Sequence, residues 1–153
     1  MAAVLGHKTA QIHLGTMYRS GIGVSKNEVS SLMWFELAGT EKEGIAEAQY
    51  EAGHMYYDGL GTTQDKEAAA QWFRLAADQG LAKAQYQLGL MYYLGKGVPQ
   101  DYMTGHLWAN LAAAKDFEKA DELKKSLEEK MSPEQIAEAQ RMAREWKPKA
   151  SQK

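Results

Sequence analysis

The chain has no cysteine, which excludes a disulfide framework and a thiolate-based zinc site, although a cysteine-free protein fits any compartment. Among its 153 residues there are only three prolines, while Ala, Leu, Met, Gln, Glu and Lys are plentiful, a composition that favours helices. No apolar run reaches the ~18 residues that a membrane-spanning helix requires. The opening MAAVLGHKTAQ lacks a basic stretch followed by a long apolar core, so no signal peptide is read there. A net charge of −2 sets up no global field that would favour nucleic acid or an anionic membrane surface. No segment alternates with period two beyond a few residues, so no strands are expected. At 44% hydrophobic, the chain can still bury one real core, and residues 1–153 are read as a single domain.

What is present is repetition. Ala48 to Gly80 reads AQYEAGHMYYDGLGTTQDKEAAAQWFRLAADQG, and Ala84 to Ala113 says it again as AQYQLGLMYYLGKGVPQDYMTGHLWANLAA. A looser copy runs from Ala10 to Gly39. Gly15, Gly53 and Gly89 recur at offsets of 38 and 36 residues, each 19 residues before Trp34, Trp72 and Trp108. Met-Tyr, Gly-x-Gly and then Asn27, Asp65 and Asp101 keep their places between them. The extra two residues fall in the connector, where Thr40 to Gly44 replaces Asp78 to Gly80, as expected of a loop insertion.

A period in this range signals stacked helical hairpins. Each copy reads as helix, loop, helix: 8–20 with 27–39, 45–58 with 65–79, and 82–94 with 101–114. In the first helix Ala48, Ala52, Met55 and Tyr56 share a face. Gly-x-Gly closes the helix, and Asn27, Asp65 and Asp101 start the next as N-terminal caps. The second helix buries Trp72, Phe73 and Ala76, and its small residues Ser31, Ala69 and Gly105 admit a close neighbour.

Ala2 to Gly6 matches Ala76 to Gly80, so residues 1–9 are read as the end of a repeat whose first part is missing. Either the gene begins there or the chain was cut from something longer, and the second is the expectation; any export signal could have gone with the lost part. Residues 10–47, 48–83 and 84–115 are the three repeats. Residues 116–147 form two capping helices, the last opened by Ser132-Pro133-Glu134-Gln135, a serine cap with proline at the first position and glutamine in the capping box. Residues 148–153 are expected to be a disordered tail.

The pattern A-x-x-x-[LA]-G-x-M-Y-x-x-G-x-G-x-x-x-[DN] … W-x-x-x-A resembles the Sel-one-like repeat, an α-solenoid relative of the tetratricopeptide repeat. The resemblance covers most of residues 10–113 and implies an all-α solenoid of stacked helix-turn-helix repeats. It also implies a non-enzymatic adaptor that binds a protein or peptide on a concave face, and no cofactor. Departures are local: Thr62 stands where Val24 and Val98 fit the loop pattern, and Gly39 where other copies have alanine. Cysteine-rich bacterial members have been associated with β-lactam binding or hydrolysis, and a chain without cysteine gives no ground for carrying that over. A hydrolase-type enzyme and a self-associating structural module remain the alternatives. The compartment is open: cytoplasmic by default, periplasmic or secreted if an export signal has been removed.

The residues themselves offer little chemistry. The Gly-x-Gly triplets follow helices and lack phosphate-loop spacing, so they are turns. His7, His13, His54 and His106 never pair at i+4 and are read as surface or groove residues; His54 with Asp58 is too few ligands for a metal. Arg141, Arg144, Lys147, Lys149 and Lys153 make a basic end, read as a solvated helix terminus rather than a nucleic-acid site. The candidate binding surface lies on the first helices, opposite Ala48, Ala52 and Met55. Positions i, i+4 and i+7 hold Ile12, Thr16 and Arg19, then Tyr50, His54 and Tyr57, then Tyr86, Leu90 and Tyr93, with Leu94 at the margin. Tyrosine-rich grooves suit protein recognition, offering large contact area with a polar tip. Tyr50 and Tyr86 are read as repeat packing more than groove, Tyr57 and Tyr93 the reverse.

The cap reading yields an expected outcome. Deleting residues 116–153 should expose Leu107, Leu111 and their apolar neighbours and produce aggregation; a truncated chain that stays soluble with an unchanged melting midpoint would refute it.

Overall fold

The computed structural model describes residues 2–40 and 44–149. It contains α1 (Ala2–Ser20), α2 (Glu28–Gly39), α3 (Ala46–Asp58), α4 (Lys66–Asp78), α5 (Ala82–Leu94), α6 (Tyr102–Ala113), α7 (Glu118–Glu128) and α8 (Pro133–Glu145), with no strand among the described residues. The fold is all-α, of the helical-repeat solenoid class. The central residues of the expected connector insertion, 41–43, lie outside the described residues.

The hairpins form for local reasons that recur. Asn27 Oδ1 accepts from the Ser30 amide at 3.0 Å, Asp65 Oδ1 from Ala68 at 2.9 Å and Asp101 Oδ1 from Thr104 at 3.1 Å, satisfying first-turn donors. The same cap residues donate their own amides back to the Tyr18, Tyr56 and Tyr92 carbonyls at 2.9, 2.9 and 3.0 Å, which locks each loop. α3 and α5 end on Gly59 (φ 71°) and Gly95 (φ 65°), left-handed positions where a side chain would be strained. Ser132 and Gln135 form the full capping box at the start of α8.

The described chain divides into two compact units, Met1–Trp72 and Phe73–Lys153. In the first, Leu32, Phe35, Ala38, Ala48, Ala52 and Met55 form the core, with Ile12, Ile45, Tyr56, Leu60 and Trp72 packed against it. Ser31 is fully buried and its hydroxyl donates to the Gly15 carbonyl at 2.7 Å, so α1 and α2 meet at a bare stretch of backbone. Tyr56 reaches from α3 to α2, donating to Glu36 Oε1 at 2.6 Å.

In the second unit α5 and α6 meet at Gly89 and Gly105, and α7 and α8 both pack on α6. Ala109, Leu123 and Leu127 make a core cluster that takes in Tyr86, Leu90, Tyr93, Tyr102 and Met131. His106 is fully buried, with Nε2 2.8 Å from Glu128 Oε1, and so ties α7 to α6. This corrects the expectation of a surface or groove histidine: its α6 position, between Gly105 and Leu107, is covered by the cap helix.

Two further observations concern residues 2–9 and 148–149. Residues 2–9 are helical and continuous with α1, and no turn forms at Gly6 like that at Gly80 (φ 95°). Residues 148 and 149 are not a free tail: Lys149 Nζ pairs with Asp78 Oδ2 at 2.9 Å. Residues 150–153 lie outside the described residues.

Two outcomes follow from this packing. A Cβ at Gly89 would lie 3.0 Å from the Gly105 carbonyl oxygen and 3.3 Å from the Ala109 nitrogen, both backbone atoms that cannot swing aside. Gly89→Val should therefore destabilise by ~1–3 kcal/mol through overpacking, read as a lower denaturation midpoint. The bond to Glu36, with burial second, pushes the Tyr56 hydroxyl up to about 12. A pKa raised on folding contributes stability below the ordinary tyrosine value that is lost as pH climbs through the folded value. The wild type should thus lose more stability between pH 10 and 12 than Tyr56→Phe, compared by chemical denaturation across that window.

Candidate protein-interaction surface

α3 turns Ala48, Gln49, Ala52, Gly53 and Met55 inward. Its opposite face carries Tyr50, His54 and Tyr57, all half-buried. Tyr50 and His54 are one turn apart, and their Oη and Nε2 atoms lie 2.7 Å apart with the rings edge to face at 4.6 Å. Burial, then the fields of Glu51 and Glu47, push the Tyr50 hydroxyl up, so it holds its proton. When His54 carries its proton on Nδ1, that hydroxyl donates to Nε2. Tyr57, next along the stripe, has the Lys66 ammonium 5.4 Å from its ring centroid, a cation–π contact.

α1 approaches this face through Arg19. Its guanidinium pairs with the Glu51 carboxylate and lies 5.3 Å from the Phe35 ring centroid. Arg19 is therefore held across the hairpin, with 38% of its side chain still exposed. Thr16 is exposed, and its hydroxyl bonds back to the Ile12 carbonyl at 3.0 Å. Within this unit the structure brings Tyr50 to His54 and Arg19 to Glu51.

The same stripe in the second unit is used differently. The Tyr86 ring packs on Phe117 at 5.2 Å, and the Tyr93 ring lies 6.1 Å from Tyr102. Tyr86, Leu90 and Tyr93 all pack on the cluster that α6 and α7 build. Leu94 alone of that set is an exposed apolar side chain, at 44%.

Sequence reasoning did not find Glu51, Lys66 or Phe117 as neighbours of these stripes. Phe117 could have been suspected, as the first apolar residue of the capping segment; the Arg19–Glu51 pair spans 32 residues and leaves no local signal. Nor did it find Gln49 and Gln85, buried glutamines at one repeat position that donate to the Gly39 and Ala77 carbonyls at 3.0 and 3.2 Å. The signal was present as the recurring Ala-Gln at 10–11, 48–49 and 84–85.

Among the described residues no cluster of three or more His, Cys, Asp or Glu could hold a metal ion, and no helix is long and apolar enough to cross a membrane. The Sel1 repeat pattern matches residues 8–41, 46–81 and 82–117. The chain belongs to the Sel1 repeat family. Its members generally act as protein-interaction modules. The fold is similar to a Sel1 repeat protein from Oxalobacter formigenes, at 32% identity and a TM-score of 0.71 over 74% of this chain and 46% of that one. It is also similar to c5321, a protective antigen present in uropathogenic Escherichia coli strains and displaying an SLR fold, at 27% identity and a TM-score of 0.65 over 94% of this chain and 38% of that one. The chain thus spans less than half the length of either. No curated protein matches.

Proposed function

We propose that this Sel1 repeat chain is a non-catalytic scaffold that binds a protein or peptide through the tyrosine-bearing face of its first helices, centred on α3. One observation carries the choice of α3: its stripe holds a polar middle residue, His54, bonded to Tyr50 on the helix itself, whereas the matching stripe of α5 packs beneath α7. Tyr50, His54 and Tyr57 then supply aromatic area with polar tips, and Arg19, held by Glu51, lends a pre-organised cation at the edge. Thr16 flanks them. Tyr86, Leu90 and Tyr93 serve the second unit's packing first, and Leu94 is the α5 residue best placed to touch a ligand.

The test compares Tyr57→Ala with Tyr93→Ala. A partner identified by capture from the source cells is purified, and its affinity is measured for each variant alongside thermal unfolding. Tyr57→Ala should weaken binding by ~2 kcal/mol, about thirtyfold, at near-normal stability. Tyr93→Ala should instead lower stability, by as much as ~3 kcal/mol, because it empties packed volume. Full affinity in Tyr57→Ala would put the binding face elsewhere.

A further inference from the structure

Beyond α8 the chain leaves the helix and folds back over the second unit. Trp146 is extended (φ −68°, ψ 139°), and Pro148 keeps Lys147 out of the helical region. Contacts from each end and the middle seat this short strap. The Trp146 ring meets Trp108 edge to face at 6.1 Å. Pro148 and Trp146 lie over the α4–α5 turn, where a Cβ on Gly80 would come within 3.8 Å of each. Lys149 Nζ reaches Asp78 Oδ2 at 2.9 Å.

The seat is built around a nearly buried carboxylate. The Asp78 side chain is only 9% exposed, and its other oxygen accepts from Arg74 Nε at 3.2 Å. The Arg74 guanidinium in turn stands 5.2 Å from the Trp108 ring centroid. The Gly80 carbonyl is held by the Lys115 ammonium. A carboxylate this buried calls for a full set of cationic partners, and Arg74 serves only one of its oxygens. The strap's lysine, by contrast, is 69% exposed, and such a lysine contributes little to an ion pair. An anionic and aromatic seat is filled by a short segment whose lysine stays largely in water.

We propose that the surface formed by Asp78, Gly80, Arg74 and Trp108 is a recognition seat for an extended aromatic–x–proline–lysine segment of a partner protein, filled in cis by residues 146–149 until the partner displaces them. The complementarity is that of the resident strap: a lysine for the open Asp78 oxygen, a proline over a turn with no side chain, and an aromatic edge against Trp108. This surface is distinct from the α3 face and stands or falls separately from it.

The experiment uses the full chain with its strap disabled by Trp146→Gly, Pro148→Gly and Lys149→Gln. The milder Pro148→Gly with Lys149→Gln serves if helicity is lost. The probe is an acetylated, fluorescent peptide with the sequence of residues 145–153. Saturable binding to the released chain is expected, at least tenfold tighter than to the wild type, whose tethered strap competes at high effective concentration. Asp78→Asn in the released chain, or Lys149→Gln in the peptide, should weaken binding at least tenfold. No binding, equal binding to both chains, or indifference to Asp78 would overturn the proposal. So would sedimentation showing that the wild type pairs with itself by exchanging straps, which would make a second copy the occupant.

Discussion

In both units the fold depends on two helices, α1 with α2 and α5 with α6, meeting at backbone left bare by glycine. In the first unit the Ser31 hydroxyl bonds the Gly15 carbonyl, and a Cβ on Gly15 would lie 2.9 Å from the Phe35 ring. In the second, Gly89 and Gly105 face each other so closely that each would press a Cβ toward the other's carbonyl oxygen. A glycine inside a helix costs roughly 1 kcal/mol relative to alanine, so the position is tolerable only because the contact it permits returns more. At the contact itself only small residues stand, and in the first unit the buried Phe35 ring fills the space directly beside Gly15.

What becomes of that surface turns on single residues. Tyr50-His54-Tyr57 and Tyr86-Leu90-Tyr93 occupy the same places in their helices. Leu90 has no use for water, and with its two tyrosines it packs on the cluster of Ala109, Leu123 and Leu127. His54 can satisfy itself on Tyr50 and keep a polar face half-open. The two stripes thus differ at their middle position, an apolar Leu90 packed with its tyrosines in one and a His54 bonded to Tyr50 in the other.

The repeat register, the three capping residues, the glycine turns and the capping box of α8 were legible because each is a local device, its cause and effect lying within a few residues. The helix boundaries followed, to within a residue or two at most ends. The α3 stripe was legible as a candidate from periodicity alone. Its neighbours were not: the bond from Arg19 to Glu51 and the cover of Phe117 over Tyr86 depend on which hairpin face meets which, and a helical period carries no such information. His106 was misread for the same reason, since its burial is supplied by α7 from 22 residues away. The seating of the strap was missed because its partners Asp78, Gly80 and Trp108 lie far from it in sequence.

Those unread polar contacts bear on how the repeats find a single register. The buried faces are rich in alanine: Ala38, Ala48 and Ala52 in the first unit, Ala109, Ala112 and Ala120 in the second. Alanine surfaces are smooth, and two of them can slide past each other with little change in buried area. A buried glutamine cannot slide, because an amide pulled from its carbonyl in a low-dielectric interior loses the bond and is left without water. Gln49 of α3 and Gln85 of α5 each donate to a carbonyl at the close of the preceding helix, Gly39 of α2 and Ala77 of α4, and His106 does the equivalent for α7 through Glu128. Each of these contacts spans a junction between one hairpin and the next element. The apolar side chains therefore supply the drive to stack, and a few buried polar ones decide where the stacking stops.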